Sequence, residues 1–237
     1  MLASSILGVT SDESNLYGGR DPRDIPAYAI PSAAQLAGIP ATTLRSWVLG
    51  RSYETNTGVR RAAGLIKLPA GNKDGFLSFT NLVEVHVLAA MRRQHELKLE
   101  TVRNAVRYLK RESAQDHPLA YETFRTNGVD LFVERYGDLV NASRDGQVAI
   151  RSAIEASLQR VEYEQGRAVR LFPFVTAERR SIVIDPRRAF GRPSIAGTGI
   201  PIAIIADRFR GGDSIDHLAR DYGVASELVE DAVRAAA

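Results

Sequence analysis

Apolar positions along this chain recur mostly at the three-to-four-residue spacing of helices, with strand-like runs confined to short stretches. Ala33, Leu36 and Ala37 form one face of a short predicted helix, with Ser32 placed to cap its start. Gly38 supplies the freedom for a sharp turn and Ile39 plugs the corner. Thr42 is the expected cap of a second helix that turns Leu44, Trp47 and Val48 inward. Small residues, a glycine, a branched apolar residue and a second short helix make a helix-turn-helix pattern. Between Gly50 and Phe79, the glycines at 58, 64, 71 and 75 punctuate a hairpin-like loop carrying Arg60, Arg61, Lys67 and Lys73. Two longer helices follow in the pattern. One runs from about Thr80 to Gln94 with Leu82, Val83, Val85, Val87, Leu88 and Met91 on a wide apolar face. The other runs from about Leu99 to Glu112, with Leu99, Val102, Val106 and Leu109 inward and Arg103, Arg107, Lys110 and Arg111 outward.

The next stretch changes character. Asn127-Gly128 and Asp145-Gly146 are tight-turn signals between short apolar runs, so residues 116–150 are expected to form a small β-meander. A helix is predicted from Ser152 to about Gln165, with Ile154, Leu158 and Val161 on one face, then short strands at 170–174 and 181–184. A helix over Ile202–Phe209, a Ser214-capped helix, a turn at Gly223 and a Ser226-capped helix complete the chain. The expected organisation is a flexible N-terminal tail (1–25), a winged helix-turn-helix (26–115), the meander with its connecting helix (116–176) and a C-terminal module (177–237). The fold class is mainly α with small β elements (α+β): an N-terminal winged helix-turn-helix and a C-terminal helical module that is itself helix-turn-helix-like.

Charge sharpens this picture. The 237-residue chain carries a net charge of only +3, yet residues 40–112 hold thirteen Lys or Arg against six Asp or Glu. A basic excess around a presented helix is the electrostatic footprint of a duplex-DNA reader. The candidate DNA contacts are Thr42, Thr43, Arg45, Ser46 and Arg51, with Arg60, Arg61 and Lys67 on the wing for phosphates. The far end has the opposite sign: residues 213–236 contain six acids (Asp213, Asp216, Asp221, Glu227, Glu230 and Asp231) against Arg220 and Arg234. That end is therefore expected to meet protein, through Ile195, Ile200, Ile202, Phe209, Leu218, Tyr222 and Leu228 as partner or homodimer contacts.

Composition excludes several classes. With no cysteine and only His86, His95, His117 and His217, without an i, i+4 pair, neither disulfides nor a zinc centre is expected. No apolar run is long enough to span a membrane, and no basic region precedes a leader-like stretch, so a cytoplasmic protein is expected. Gly197-Thr198-Gly199 lacks the Lys-Ser/Thr of a phosphate loop and the third glycine of a dinucleotide fingerprint, and reads as a tight turn. Asp130, Glu134 and Asp138 are the nearest approach to an acidic site, but they alternate with apolar residues as on a solvated strand. No catalytic constellation, metal site or cofactor is expected.

Two resemblances follow from these residues. The run AAQLAGIPATTLRSW, a basic wing, a helix opening at Phe-Thr-Asn-Leu and a further basic helix resemble a MerR-type winged-helix DNA-binding domain, although the wing lacks that family's Tyr-Arg-x-Tyr pattern. The pattern I-x-I-D-P-x-x-x-x-G-x-P-x-I-x-G-T-x-I-P from Ile182, followed by G-x-S-I-D-x-L-A-x-D-Y from Gly212, resembles the domain of unknown function 433, with Gly199 where that family has arginine. Together they resemble VapB-type antitoxins of toxin–antitoxin pairs. The resemblance implies a PIN-like ribonuclease toxin as partner and repression of operator DNA by antitoxin and toxin together. The alternative is a free-standing MerR-like transcriptional regulator that responds to a small molecule.

Overall fold

The computed structural model describes residues 17–55, 58–70, 72, 75–94, 99–140, 144–174 and 179–236. The expectations placed on the first sixteen residues, on Gly71 and on Lys73 lie outside these. Among the described residues the architecture is mainly helical with three two-stranded antiparallel sheets, an α+β arrangement.

Residues 17–25 are not a loose tail. Pro22–Asp24 form a 3-10 turn whose preceding Asp21 carboxylate accepts from the Arg23 backbone N–H at 2.9 Å. Arg167, more than 140 positions away, donates to Asp21 at 2.9 Å and to Asp24 at 2.8 Å. Thr80 adds a hydroxyl bond to Asp24 at 2.7 Å. Partial burial works against ionisation of Asp21, but the hydrogen bonds and charge of Arg23, with Arg167 behind, outweigh it and hold its pKa below the ordinary aspartate value. A carboxyl whose folded pKa is depressed gives its full contribution above the unfolded pKa and loses it as pH falls through the folded one. The urea midpoint of wild type should therefore exceed that of Asp21→Asn at neutral pH, with the gap closing below about pH 4, near the unperturbed aspartate value. A gap independent of pH would show that this clasp is not ionic.

Helix α1 (Ile30–Ala37) and helix α2 (Ala41–Leu49) make the first pair. Both are started by proline, not by the serine and threonine of the sequence reading. Pro31 lies in the first turn of α1 and Pro40 directly precedes α2, leaving Ser32 and Thr42 exposed inside the helices. Gly38 between them adopts φ 64°, and its N–H donates to Gln35 O. A hairpin of β1 (Arg51–Thr55) and β2 (Gly58–Ala62) follows.

Helix α3 (Phe79–Gln94) is the axis of the fold. Sequence periodicity predicts one wide apolar face, whereas every residue from Phe79 to Met91 is buried. Its start is locked reciprocally: Asn81 N–H donates to Ser78 Oγ and Ser78 N–H to Asn81 Oδ1, both at 3.2 Å. The buried polar groups are partnered, as burial demands. Glu84 meets His117 Nδ1 at 2.8 Å, His86 Nε2 contacts Ser157 O at 3.2 Å, and Asn81 donates to Lys67 O at 2.9 Å.

Helix α4 (Leu99–Ser113) leads into 3-10 and π turns and then helices α5 (Val129–Val140) and α6 (Arg144–Leu158). The expected β-meander is not formed by the described residues of this stretch, which are mostly helical, with Tyr121 making only an isolated bridge to Arg167. Asn127-Gly128 closes a π turn running directly into α5, and a Cβ on Gly128 would stand 2.7 Å from Phe124 Cδ2. That glycine serves close packing, not a hairpin. Asp130, Glu134 and Asp138 form an exposed helical stripe, and Asp130 pairs with Arg151. The hairpin β3 (Val161–Glu164) and β4 (Arg167–Leu171) follows, so Val161 belongs to a strand.

The C-terminal module pairs β5 (Ile182–Val183) with β6 (Ser194–Ile195) and packs helices α7 (Ile202–Arg210), α8 (Ile215–Tyr222) and α9 (Ser226–Ala236). Ser214 caps α8 by accepting from His217 N–H, and Gly223 turns the chain at φ 64°. Two apolar cores result. One runs from Tyr28 to Ile184 and joins the first helix pair to the middle region. The other is Ile182, Ile195, Ile202, Ile205, Leu218, Ala219, Val229 and Ala232. Between them the buried Tyr28 hydroxyl donates to Gly191 O at 2.8 Å. Burial, with Asp185 nearby, pushes the Tyr28 pKa upward, so the phenol keeps its proton. A Cβ on Gly191 would lie 2.4 Å from that oxygen.

Candidate nucleic-acid interface

Helix α2 divides by periodicity. Leu44, Trp47 and Val48 turn into the core, Thr42 and Arg45 are exposed, and Thr43 and Ser46 are half-buried. Ser46 Oγ donates to Thr43 O at 2.7 Å, so its proton is committed within the helix while its oxygen can still accept. Arg45 makes no ion pair with a described residue.

The hairpin is set flush against the end of α2. Trp47 O accepts from Leu65 N–H at 2.6 Å and Ile66 N–H at 3.1 Å. Gly50 ends the helix at φ 77°, and a Cβ there would stand 2.2 Å from Ala62 O. A Cβ on Gly64 would meet Val48 O at the same 2.2 Å. These two glycines permit a backbone approach that any side chain would block. Arg103 from α4 donates to Ala63 O at 2.9 Å and pins the base of the hairpin. Sequence reading counted Arg103 only as surface charge; nothing in its neighbourhood signals this support role.

Strand register sorts the hairpin arginines. Arg51 pairs with Ala62, Ser52 with Arg61 and Tyr53 with Arg60. Directly paired residues share a face and neighbours along a strand alternate, so Arg51 and Arg60 lie on one face. Arg61 lies on the other, with Glu54 and Val59. Arg51, Arg60 and Arg61 are all exposed, and none is ion-paired to a described residue. Lys67 is different: its ammonium pairs with Asp116 at 2.5 Å, which holds the Asp116 pKa below its usual value. That carboxylate competes with any phosphate for the ammonium, so Lys67 is not the free wing cation the sequence implies.

The C-terminal module also departs from expectation. Ile195, Ile202 and Leu218 are buried in its own core and cannot be contacts for a partner, while Ile200, Tyr222 and Leu228 pack against that core part-buried. Phe209 is the one residue of the set that stays substantially exposed, at 40%. Nor is the acidic surface as strong as counted. Arg208 pairs with Asp213 at 2.7 Å and also with Asp221. Asp231 is buried, accepting from Ser181 at 2.5 Å and Arg234 at 3.0 Å.

Among the described residues no group of three or more His, Cys, Asp or Glu is placed to hold a metal ion, and no helix is long and apolar enough to cross a membrane.

Comparison with known proteins bears on both ends of the chain. The family described as "Protein of unknown function (DUF433)" matches residues 182–235. The chain is 27% identical over 229 residues to "Putative antitoxin VapB45" of Mycobacterium tuberculosis (strain ATCC 25618 / H37Rv), covering 90% of this chain and 95% of the relative. It is also 27% identical over 218 residues to "Uncharacterized protein Rv2308" of the same strain, covering 89% and 90%. Its fold is shared with the crystal structure of Rv2018 from Mycobacterium tuberculosis at a TM-score of 0.68 and 22% identity, over 89% of this chain and 98% of that one. The chain is thus similar along nearly its whole length to an antitoxin-named protein, and ends in a segment that matches the DUF433 family.

Proposed function

We propose that this protein is the antitoxin of a VapBC-type pair: it binds operator duplex DNA as a repressor and neutralises a PIN-like ribonuclease. The reading is carried by one observation, the exposed α2 surface with Arg45 beside a hairpin bearing Arg51 and Arg60 on a common face. Guanidinium groups suit both roles of a groove reader, since they bind phosphate and pair bidentately with guanine edges. In this reading α2 enters the major groove, and the hairpin runs along the flanking backbone. Similarity over nearly the whole chain to a protein named as an antitoxin supports the toxin half of the proposal. The role is regulatory and not catalytic. Two copies acting on paired half-sites would supply the specificity that one short helix lacks.

The test is co-expression with the adjacent reading frame, followed by electrophoretic mobility shift on the duplex upstream of the pair. The expected result is a co-purifying ribonuclease held inactive and a shifted duplex whose affinity falls steeply with salt. No shift at low salt, with or without the partner, would refute the DNA half, and the absence of any bound nuclease the antitoxin half.

A further inference from the structure

We infer that the seam between hairpin β3–β4 and the C-terminal module is a binding site for a small phosphorylated ligand. A cavity of about 230 Å³ opens there, with Glu162, Arg170, Phe172, Asp185, Arg188 and Arg192 among its lining residues. Its apolar floor is Phe172, Val183 and Ala196, the first two buried in the fold.

The charges on its wall do not cancel. Arg170 is spent, donating to Glu162 and Asp185 at 3.0 Å each. Asp185 is further held by the Arg187 N–H at 2.9 Å, and Arg180 stands 3.8 Å from Glu162. Both carboxylates are therefore already compensated. Arg188 and Arg192 are exposed and have no acceptor or carboxylate partner among the described residues. They are brought to one rim by a tight turn in which Gly191 N–H donates to Arg188 O and Arg192 N–H to Ala189 O. Inside that turn Ala189 and Phe190 are both held at positive φ, 49° and 54°, a conformation that non-glycine residues adopt at a cost. Phe190 is 68% exposed, so its own burial does not explain the strain.

The opposite rim is the Gly197-Thr198-Gly199 turn. Thr198 is satisfied internally, its N–H bonding Ile195 O and its hydroxyl bridging Ile195 O and Ile200 N. The N–H groups of Gly197 and Gly199 have no acceptor among the described residues. The turn carries no nucleotide-binding motif, yet it borders the cavity with two free backbone donors. Two unpaired guanidiniums and two free amides around an apolar floor fit an oxyanion joined to a compact apolar body.

The test is isothermal titration of the full-length protein with inorganic phosphate and with phenyl phosphate. Saturable binding of both, tighter for phenyl phosphate, is expected, and each of Arg188→Ala and Arg192→Ala should weaken it about tenfold, the weight of one charged hydrogen bond. Arg187→Ala should change little, because Arg187 is paired with Glu164 at 3.1 Å outside the cavity lining. Since both variants are at exposed positions, circular dichroism melting is expected to leave their folding intact; a melting rise with phenyl phosphate in wild type gives an independent readout. The assignment fails if wild type shows no saturable binding, or if binding survives in the double variant. It fails equally if operator duplex displaces phenyl phosphate and the Arg188 and Arg192 variants lose DNA affinity, since the anion is then the nucleic-acid backbone.

Discussion

Alanine at Arg45, Arg51 and Arg60 together is expected to lower operator affinity by about two orders of magnitude or more, because base-edge and phosphate contacts by arginine are each worth roughly 1–3 kcal/mol and even the low end sums to about 3 kcal/mol. The three side chains are exposed and unpaired among the described residues, so their removal leaves no buried charge behind and the fold should be unaffected. The singles should separate by role. Arg45, on the helix, is expected to relax discrimination between operator and scrambled duplex. Arg51 and Arg60, on the hairpin, should weaken both duplexes alike and lower the salt slope by about one per lost phosphate contact. Arg61→Ala should cost less than Arg60→Ala, since the register puts Arg61 on the face shared with Glu54. Fluorescence anisotropy at several salt concentrations reads all of this. A triple variant with unchanged affinity and slope would remove the proposed interface.

Trp47→Ala carries the largest expected cost in stability, about 3–5 kcal/mol by the usual scale for emptying a large aromatic site. Trp47 is only 3% exposed, and its carbonyl is the acceptor for both Leu65 and Ile66, so a collapsed cavity there also loosens the base of the hairpin. Against a total of roughly 5–15 kcal/mol for a typical domain, this is a large share. Urea unfolding followed by circular dichroism should show a lowered midpoint, and DNA binding should weaken although no contact residue has changed. Thr42→Ala, exposed on the same helix, serves as the control and should leave the midpoint within experimental scatter. A loss below about 1 kcal/mol for Trp47→Ala, the scale of an ordinary surface change, would mean the site repacks freely and that α2 is not braced as described.

The first pair of helices is legible because its signals are local: Gly38 at the turn, Ile39 at the corner, and Leu44, Trp47 and Val48 on one side of a nine-residue helix. Its caps were misread because hydroxyl residues were weighed above Pro31 and Pro40, which preset the backbone angle of a first turn. The middle region was misread for a related reason. Glycine reads as a turn marker in the local pattern, while Val129, Phe132, Val133 and Tyr136 already stand at helical spacing and are all buried. Gly137 tells the same story, since a Cβ there would lie 2.6 Å from the Gln147 side chain. Such close approaches, within a π turn or between neighbouring helices, leave no trace in a local pattern. The same holds for charge: sequence identifies Lys67, Asp213 and Asp231 as charged but not that Asp116, Arg208 and Ser181 would claim them. What could be read was which residues are basic and near the helix; which of them stay unclaimed is decided by the tertiary fold.

The bond from Tyr28 to Gly191 spans 163 positions and joins the segment leading into α1 to the terminal module. With that strut in place, the segment entering α1 is anchored to the terminal module, and in the proposed DNA-binding role α2 would be presented from a braced base and not from a swinging tether. Where two copies grip one operator, a single inserted base pair turns the second half-site by about 35°, given 10–10.5 pairs per turn. A braced pair has no slack with which to follow it.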